Sequence, residues 1–176
     1  SYYASDFTRT YPTSGKFTQK QREIYQIVCD CNNYAFSLTK PGVTYREVHL
    51  ATARKMLEGL SALGLVKGDL DEMVAKGIAG LFQPHGLGHN MGLDVHDMED
   101  LGENLVGYGE GQTRSPQLGL GSLRMARVLQ PGHVVTDEPG IYFIPTLIDM
   151  WKAEGKFKEF INYDKLETYK DFGGIR

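Results

Sequence analysis

The segment that most constrains this chain is residues 85–97, which holds three of its five histidines together with three glycines and two aspartates. Histidine and carboxylate side chains are the usual groups of metal sites and of proton transfer. Glycine permits bends and close backbone approaches that other residues resist. An edge strand with solvated histidines is the simpler interpretation, but the density of these residue types favours a functional site.

The spacing of His85 and His89 would place both imidazoles on one face of a helix, as in zinc proteases. That motif needs a glutamate directly after the first histidine, and here Gly86 follows. Gly86 and Gly88 would each cost a helix about 1 kcal/mol relative to alanine. We therefore expect a half-buried strand over residues 91–96, preceded by a distorted, glycine-flanked segment that carries His89.

Composition bounds the class of protein. The chain has 176 residues, enough for one domain with a substantial core. The net charge is −3, so the chain lacks the excess of basic residues typical of nucleic-acid-binding proteins. No apolar run reaches the length of a membrane span. Cys29 and Cys31 stand two apart in a predicted helix and so point to different sides. We interpret them as reduced thiols, which favours the cytoplasm.

Both ends of the chain indicate a fragment of a longer protein. It begins on residues 1–10, rich in Tyr and Thr, without an initiator methionine or a signal-like segment. It ends on residues 172–176 without the polar tail usual at natural termini. We therefore expect residues 1–176 to be part of one domain that continues on both sides.

Two capping-box patterns, at residues 18–21 and 44–47, predict the starts of two amphipathic helices. The apolar stripe behind the first continues to the Lys-Pro-Gly turn at residues 40–42, and the stripe behind the second ends near Gly64. Both helices are expected to cover a sheet. His49 lies in the second helix without an acidic partner at ligand spacing, so it is predicted to be a surface residue.

Three shorter elements are also predicted. A strand over residues 2–10 would carry Asp6, which taken alone is interpreted as a solvated acid. A helix over residues 69–79 would be stopped by Gly80. A second strand, residues 134–138, ends at a Pro-Gly pair.

The end of that second strand carries adjacent acids. Thr136 and Glu138 share one face, and Asp137 faces the other way. An acid at the end of an apolar strand is costly unless it is paired or binds metal. A site and a solvated strand end are both open for Glu138. Upstream, Arg124 and Arg127 are either solvated or hold a carboxylate, which guanidinium binds bidentately.

Three segments, in this order, resemble a known family. Residues 5–10 read SDFTRT; residues 85–89 read HGLGH and are followed by LDVHD at residues 93–97; residues 138–143 read EPGIYF. Together they are similar to the dinuclear metallopeptidases with the pita-bread fold, which include prolidase, aminopeptidase P and methionine aminopeptidase. The resemblance implies an α+β fold with a curved, mostly antiparallel sheet covered by helices, here truncated at both ends.

By this resemblance Asp6, His89 and Glu138 match metal ligands. The implied cofactors are two divalent metal ions, with Mn favoured over Co, Zn and Fe. A hydroxide held between the metals would attack the scissile carbonyl, and Glu138 would take and return the water's proton. His85 and His96 match groups that contact substrate and stabilise the developing oxyanion.

Within the family the chain looks more like prolidase than aminopeptidase P. Arg124 matches the arginine that grips the carboxylate of an X-Pro dipeptide, and Arg176 matches a second substrate-side arginine. Aminopeptidase P, acting on longer X-Pro peptides, is the alternative. The resemblance also implies a homodimeric parent with an N-terminal domain that this chain lacks.

The chain departs from the family pattern in two ways. Two of the family's five ligands would lie upstream of Ser1 and beyond Arg176, so the fragment alone is expected to be inactive. Asp137 replaces an apolar residue and is expected to affect stability more than chemistry. A metal-free protein-binding module and a creatinase-like hydrolase are the alternatives, and retention of the three ligand residues favours catalysis.

Overall fold

A computed structural model describes residues 2–99 and 102–176. In those ranges the helices are α1 (Gln19–Leu38), α2 (Tyr45–Ala62), α3 (Leu70–Lys76), α4 (Glu103–Val106), α5 (Pro145–Ala153) and α6 (Tyr163–Glu167), and the strands are β1 (Ile141–Phe143) and β2 (Gly173–Ile175). The two strands pair antiparallel, with Ile141 opposite Ile175. The described fold is therefore a mixture of helices and antiparallel sheet.

The two long helices begin where their capping boxes predicted. In α1 the Thr18 side chain accepts from the backbone of Gln21, whose side chain accepts in return from the backbone of Thr18. Thr44 and Glu47 form the same reciprocal pair at the start of α2. Each cap contributes about 1 kcal/mol. The helix predictions from residues 18 and 44 are confirmed, because local hydrogen bonds fix both starts.

The third helix is shorter than predicted. It ends at Lys76 because Gly77 adopts a left-handed conformation with φ 76°, the usual glycine termination of a helix. A 3-10 turn, Ile78–Leu81, follows it. The prediction of one helix over residues 69–79 is therefore wrong at its end.

The predicted strand over residues 2–10 is wrong. Tyr3 and Asp6 have positive φ angles of 58° and 51°, which interrupt an extended path. Among the described contacts, Tyr3 N donates to Leu93 O at 3.0 Å, and the Thr10 hydroxyl donates to Arg176 O at 2.8 Å. Strand propensity expresses packing on a neighbouring strand, and this segment is held by separate contacts instead.

The glycine-flanked segment is extended and pairs with residues 134–138, where the predicted strand is reduced to an isolated bridge at Val135. Glu138 N donates to Leu87 O at 2.9 Å, Thr136 N to His89 O at 3.0 Å, and Met91 N to Val134 O at 3.0 Å. These alternating bonds make an antiparallel pair centred on the bridge between Asn90 and Val135. The predicted strand over residues 91–96 is wrong: pairing occupies residues 87–91, and the chain bends after Met91.

Two apolar clusters form the core. The larger joins α1, α2, β1, α5 and α6, and includes Ile24, Leu57 and Trp151. The smaller includes Tyr45 and Leu87, and Leu87 is fully buried. Because Leu87 lies between His85 and His89, its burial fixes the middle of the histidine segment. Within the described ranges, the helices are too short or too polar to cross a bilayer.

Candidate metal centre

Asp6, His89 and Glu138, which are far apart in sequence, meet in the structure. The Nε2 atom of His89 lies 3.1 Å from Asp6 Oδ2 and 3.1 Å from Glu138 Oε1. The His89 side chain is 5% exposed, that of Glu138 13% and that of Asp6 25%. One buried imidazole nitrogen therefore faces two carboxylate oxygens at the edge of the fold.

The hydrogen bonding of His89 shows that this arrangement suits a cation. Its Nδ1 lies 2.9 Å from the carbonyl oxygen of Asn90. That oxygen can only accept, so Nδ1 donates to it. Nε2 faces two carboxylate oxygens, an arrangement that is favourable only when a proton or a metal ion lies at Nε2. A donor bond from Nδ1 to a backbone carbonyl also commonly orients metal-binding histidines. The residues therefore fit a metal ion.

Thr136 links His89 to Glu138, a role that the sequence analysis missed. Its hydroxyl oxygen accepts from His89 N at 2.9 Å and donates to Glu138 Oε1 at 2.7 Å. One hydroxyl thus fixes both the backbone of the histidine and the carboxylate of the glutamate. The placement of Thr136 and Glu138 on one strand face was the available signal.

His96 lies closer to this centre than expected of a substrate contact alone. Its ring centroid is 3.9 Å from that of His89, with 30° between the planes. Donor atoms of Asp6, His89 and His96 all lie within 4.8 Å of one another. On the other side of the ring, His96 Nδ1 lies 2.8 Å from Glu99 Oε1. His96 is therefore a further possible donor beside the three predicted ligands.

His85 is held in one orientation by two hydrogen bonds. Its Nδ1 lies 2.7 Å from Gly86 O, and its Nε2 lies 3.1 Å from the hydroxyl of Tyr142. Since the carbonyl can only accept, Nδ1 donates and Nε2 accepts the Tyr142 proton. Burial lowers the pKa of His85, which favours this neutral form. No sequence pattern indicated this role for Tyr142.

The two predicted substrate-side arginines occupy different places. The guanidinium of Arg176 contacts the Glu138 carboxylate through Nη2. The guanidinium of Arg124 lies 3.6 Å from the carboxylate of Glu99, beside His96. The structure therefore places Arg176 at the carboxylate cluster and Arg124 at the outer edge near His96.

The glycines of the histidine segment serve backbone packing. A Cβ atom on Gly88 would lie 2.1 Å from Thr136 O, and one on Gly86 would lie 2.5 Å from the Cα of Leu123. Neither distance is possible for real atoms. Both residues therefore allow the segment to pass against neighbouring backbone.

The carboxylate of Asp137 contacts Asn32 of α1, whereas that of Glu138 contacts Thr136 and Arg176. Asp137 Oδ2 accepts a long bond from Asn32 at 3.4 Å, while Asp137 Oδ1 is buried and has no hydrogen-bond partner among the described residues. Burial raises the pKa of Asp137 to about 7. A cleft of about 360 Å³ lies beside it, also lined by Asp6, Glu138 and Arg176.

Replacing Asp137 by Val should stabilise the metal-free protein at alkaline pH. A folded pKa above the ordinary value of 3.8 means that ionisation opposes folding. This cost is absent below about pH 4, grows as the pH rises to 7 and is complete above it. The expected gain in unfolding free energy is about 2 kcal/mol at pH 8. Urea unfolding at pH 8 and pH 4.5 measures it.

A matched control for this prediction is Asp171→Val. Asp171 is exposed, so its replacement should change the unfolding free energy by less than about 0.5 kcal/mol at either pH. A gain for Asp137→Val that is equal at both pH values would contradict the assigned cause, because it would not depend on ionisation.

His49 is buried, and its prediction as a surface residue is wrong. It is 8% exposed, and its Nδ1 accepts a hydrogen bond from Leu87 N at 3.2 Å. The carbonyl oxygen of Leu87 accepts from Glu138 N. Burial lowers the pKa of His49 to about 4, with His85 and Arg46 adding to the effect. A neutral imidazole on α2 thus fixes the segment between His85 and His89.

Replacing His49 should change how stability depends on acid. A folded pKa below the ordinary 6.5 means that protonation opposes folding, so the wild type loses up to about 3 kcal/mol between pH 7 and pH 4. His49→Asn, which can accept from Leu87 N but does not titrate, should remove that loss. His49→Leu should cost about 1–3 kcal/mol at pH 7, because the Leu87 N–H then lacks a partner.

Chemical denaturation at pH 7, 5.5 and 4 measures both effects. Equal stability of the Asn and Leu variants at pH 7 would show that the hydrogen bond is not what His49 contributes. An unchanged acid dependence in the Asn variant would remove His49 as its source.

Comparison with known proteins places this geometry in a wider context. The model of metallopeptidase family M24 matches residues 1–176. An Xaa-Pro dipeptidase of Mus musculus is 43% identical over 174 residues, which is 99% of this chain and 34% of the relative. A probable Xaa-Pro aminopeptidase of Sordaria macrospora is 40% identical over 174 residues, which is 99% of this chain and 35% of the relative.

Solved structures give a similar result. Zn-substituted E. coli aminopeptidase P in complex with product superposes with a TM-score of 0.63 and is 42% identical, covering 80% of this chain and 27% of that one. Aminopeptidase PepP of Pseudomonas aeruginosa has a TM-score of 0.64 and is 40% identical, with 81% and 28% covered. The chain spans about a third of the length of the curated relatives.

Proposed function

Because the chain belongs to metallopeptidase family M24, we propose that its parent protein is a metal-dependent hydrolase of the X-Pro peptide bond. The observation that carries this proposal is His89 Nε2, which faces the carboxylates of Asp6 and Glu138 at 3.1 Å each. The printed names of the relatives, Xaa-Pro dipeptidase and probable Xaa-Pro aminopeptidase, support the substrate class.

Asp6, His89 and Glu138 would hold the metal. Oxygen and imidazole donors without thiolate suit two divalent ions, of which Mn is favoured and Co, Zn or Fe are possible. One of the similar structures is described as Zn-substituted. When bound, such ions activate a water molecule and stabilise negative charge on the substrate carbonyl.

The chain's own residues perform the proton transfers and the positioning. Glu138 takes the proton of the attacking water and returns it to the leaving amine. The Thr136 hydroxyl and the Arg176 guanidinium hold that carboxylate from both oxygens. His85 and His96 would contact the substrate, and to donate to the oxygen on which charge develops each ring would have to gain a second proton or exchange its present Nδ1 partner, Gly86 O or Glu99.

The proposed substrate is an X-Pro dipeptide. Arg124 would bind its C-terminal carboxylate, and Arg176 would lie on the substrate side of Glu138. Aminopeptidase P activity on longer peptides is the second candidate, and the similar solved structures, which are aminopeptidases P, favour it.

We further propose a pita-bread catalytic domain, of which residues 1–176 are a part, in a homodimeric cytoplasmic parent. Two free cysteines agree with a reducing compartment. The two remaining ligands of the family would lie outside residues 1–176. The 176-residue piece on its own is therefore proposed to be inactive, and turnover of Ala-Pro by that piece would contradict this.

The deciding experiment compares Ala-Pro with Ala-Pro-Ala. Both are offered to the full polypeptide that carries this sequence, with added Mn²⁺. A dipeptidase releases proline from Ala-Pro and leaves the tripeptide, whereas an aminopeptidase P cleaves the tripeptide. Hydrolysis of neither substrate with any of the four metals would overturn the proposed function.

A further inference from the structure

The carboxylate of Glu99 connects two side chains assigned above to the substrate. Its Oε1 accepts from His96 Nδ1 at 2.8 Å, and its Oε2 lies 3.6 Å from Arg124 Nη1. The side chain of Glu99 is 18% exposed, against 52% for His96 and 41% for Arg124. A half-buried carboxylate therefore stands between two more exposed groups, and one of them is the proposed carboxylate-binding cation.

The two contacts differ in kind. The bond to His96 has hydrogen-bond length, whereas 3.6 Å to Arg124 is an ion pair without a close hydrogen bond. Such a pair is mainly electrostatic and exchanges easily. A substrate carboxylate that approaches Arg124 meets a guanidinium whose charge Glu99 already compensates in part. It also meets a second anion nearby, and like charges repel.

We propose that Glu99 is a specificity-determining residue that weakens the binding of a C-terminal carboxylate at Arg124. This inference rests on the proposed function, because it takes Arg124 as the group that binds that carboxylate. Its consequence concerns substrate range. With Glu99 in place, ligands with and without a carboxylate bind with more similar affinity, so peptides that continue beyond proline compete better with dipeptides.

The test compares L-proline with L-prolinamide, which differ in a carboxylate against an uncharged amide. Their Kd values are measured by isothermal titration on the full polypeptide with Mn²⁺ bound. Glu99→Gln should lower the Kd of proline roughly three- to tenfold, and the Kd of prolinamide should not change. Glutamine keeps an oxygen that accepts from His96 Nδ1, so the variant removes the charge alone.

Two controls locate the effect. Glu110→Gln removes an equal charge from an exposed position, and it should leave both Kd values unchanged. In an Arg124→Met background, Glu99→Gln should no longer alter the ratio of the two Kd values, because the guanidinium through which Glu99 acts is then missing.

An unchanged ratio, a weaker binding of proline, or no measurable binding of proline to either protein overturns the inference. Weaker binding would mean that Glu99 orients Arg124 instead of opposing the ligand. Turnover of Ala-Pro is scored separately. A shifted ratio of Kd values without turnover of Ala-Pro would contradict the proposed function and leave this inference standing. Turnover of Ala-Pro with an unchanged ratio would contradict this inference and leave the proposed function standing.

Discussion

Glu138→Gln is expected to lower kcat for Ala-Pro by about a thousandfold or more, the largest effect of any substitution considered. The glutamine side chain is nearly the same size, so the pairing of residues 87–91 with residues 134–138 should persist. What disappears is an oxygen that can take and return a proton. The anion facing His89 Nε2 and the guanidinium of Arg176 is also lost.

The measurement is kcat and KM at saturating Mn²⁺ on the full polypeptide, together with metal content of the purified variant. Glu110→Gln serves as the matched control and should retain wild-type kcat, because Glu110 is exposed and lies outside the proposed site. A Glu138→Gln variant within tenfold of wild-type kcat would remove Glu138 as the proton-transfer group.

Local hydrogen bonding explains why some elements were predictable. The capping boxes at Thr18 and Thr44 specify helix starts from four consecutive residues, and both starts form as predicted. The end of α3 is also encoded locally, in Gly77. The helix was predicted to end at Gly80 because two nearby glycines give the same termination signal in the sequence.

The predictions were wrong where the local structure depends on partners that are distant in sequence. Residues 2–10 have strand composition but make isolated contacts, and no rule of propensity gives the positive φ of Asp6. His49 was assigned to the surface because its partner, the backbone N–H of Leu87, is distant in sequence. A histidine on a helix carries no sequence signal that distinguishes a buried acceptor from a solvated ring.

The convergence of Asp6, His89 and Glu138 came from the family resemblance, since periodicity alone left Asp6 as a solvated acid. The pairing of residues 87–91 with residues 134–138 explains why two of these residues, His89 and Glu138, come together. That pairing sets His89 opposite Thr136 and next to Glu138. The contact of Glu99 with Arg124 had no such signal, because it depends on how side chains meet after the chain bends.

His89→Asn should weaken Mn²⁺ binding about a hundredfold or more, whereas His96→Asn should change it only a few-fold and lower kcat instead. The structure brings both imidazoles to the carboxylate of Asp6, so proximity alone does not separate their roles. Their exposure and the number of carboxylates they face do. His89 is buried and its Nε2 lies between two carboxylates. The side chain of His96 is 52% exposed, and its donor atom shares only the Asp6 carboxylate with that cluster.

Titration of Mn²⁺ into the metal-free full polypeptide measures both affinities, and hydrolysis of Ala-Pro at saturating Mn²⁺ measures kcat. His96 is not expected to replace the lost ligand, because its half-exposed ring lies at the edge of the cluster and not between two carboxylates. Equal losses of Mn²⁺ affinity in the two variants would contradict this division and make His96 a ligand. An unchanged affinity in His89→Asn would remove the proposed metal centre from this cluster altogether.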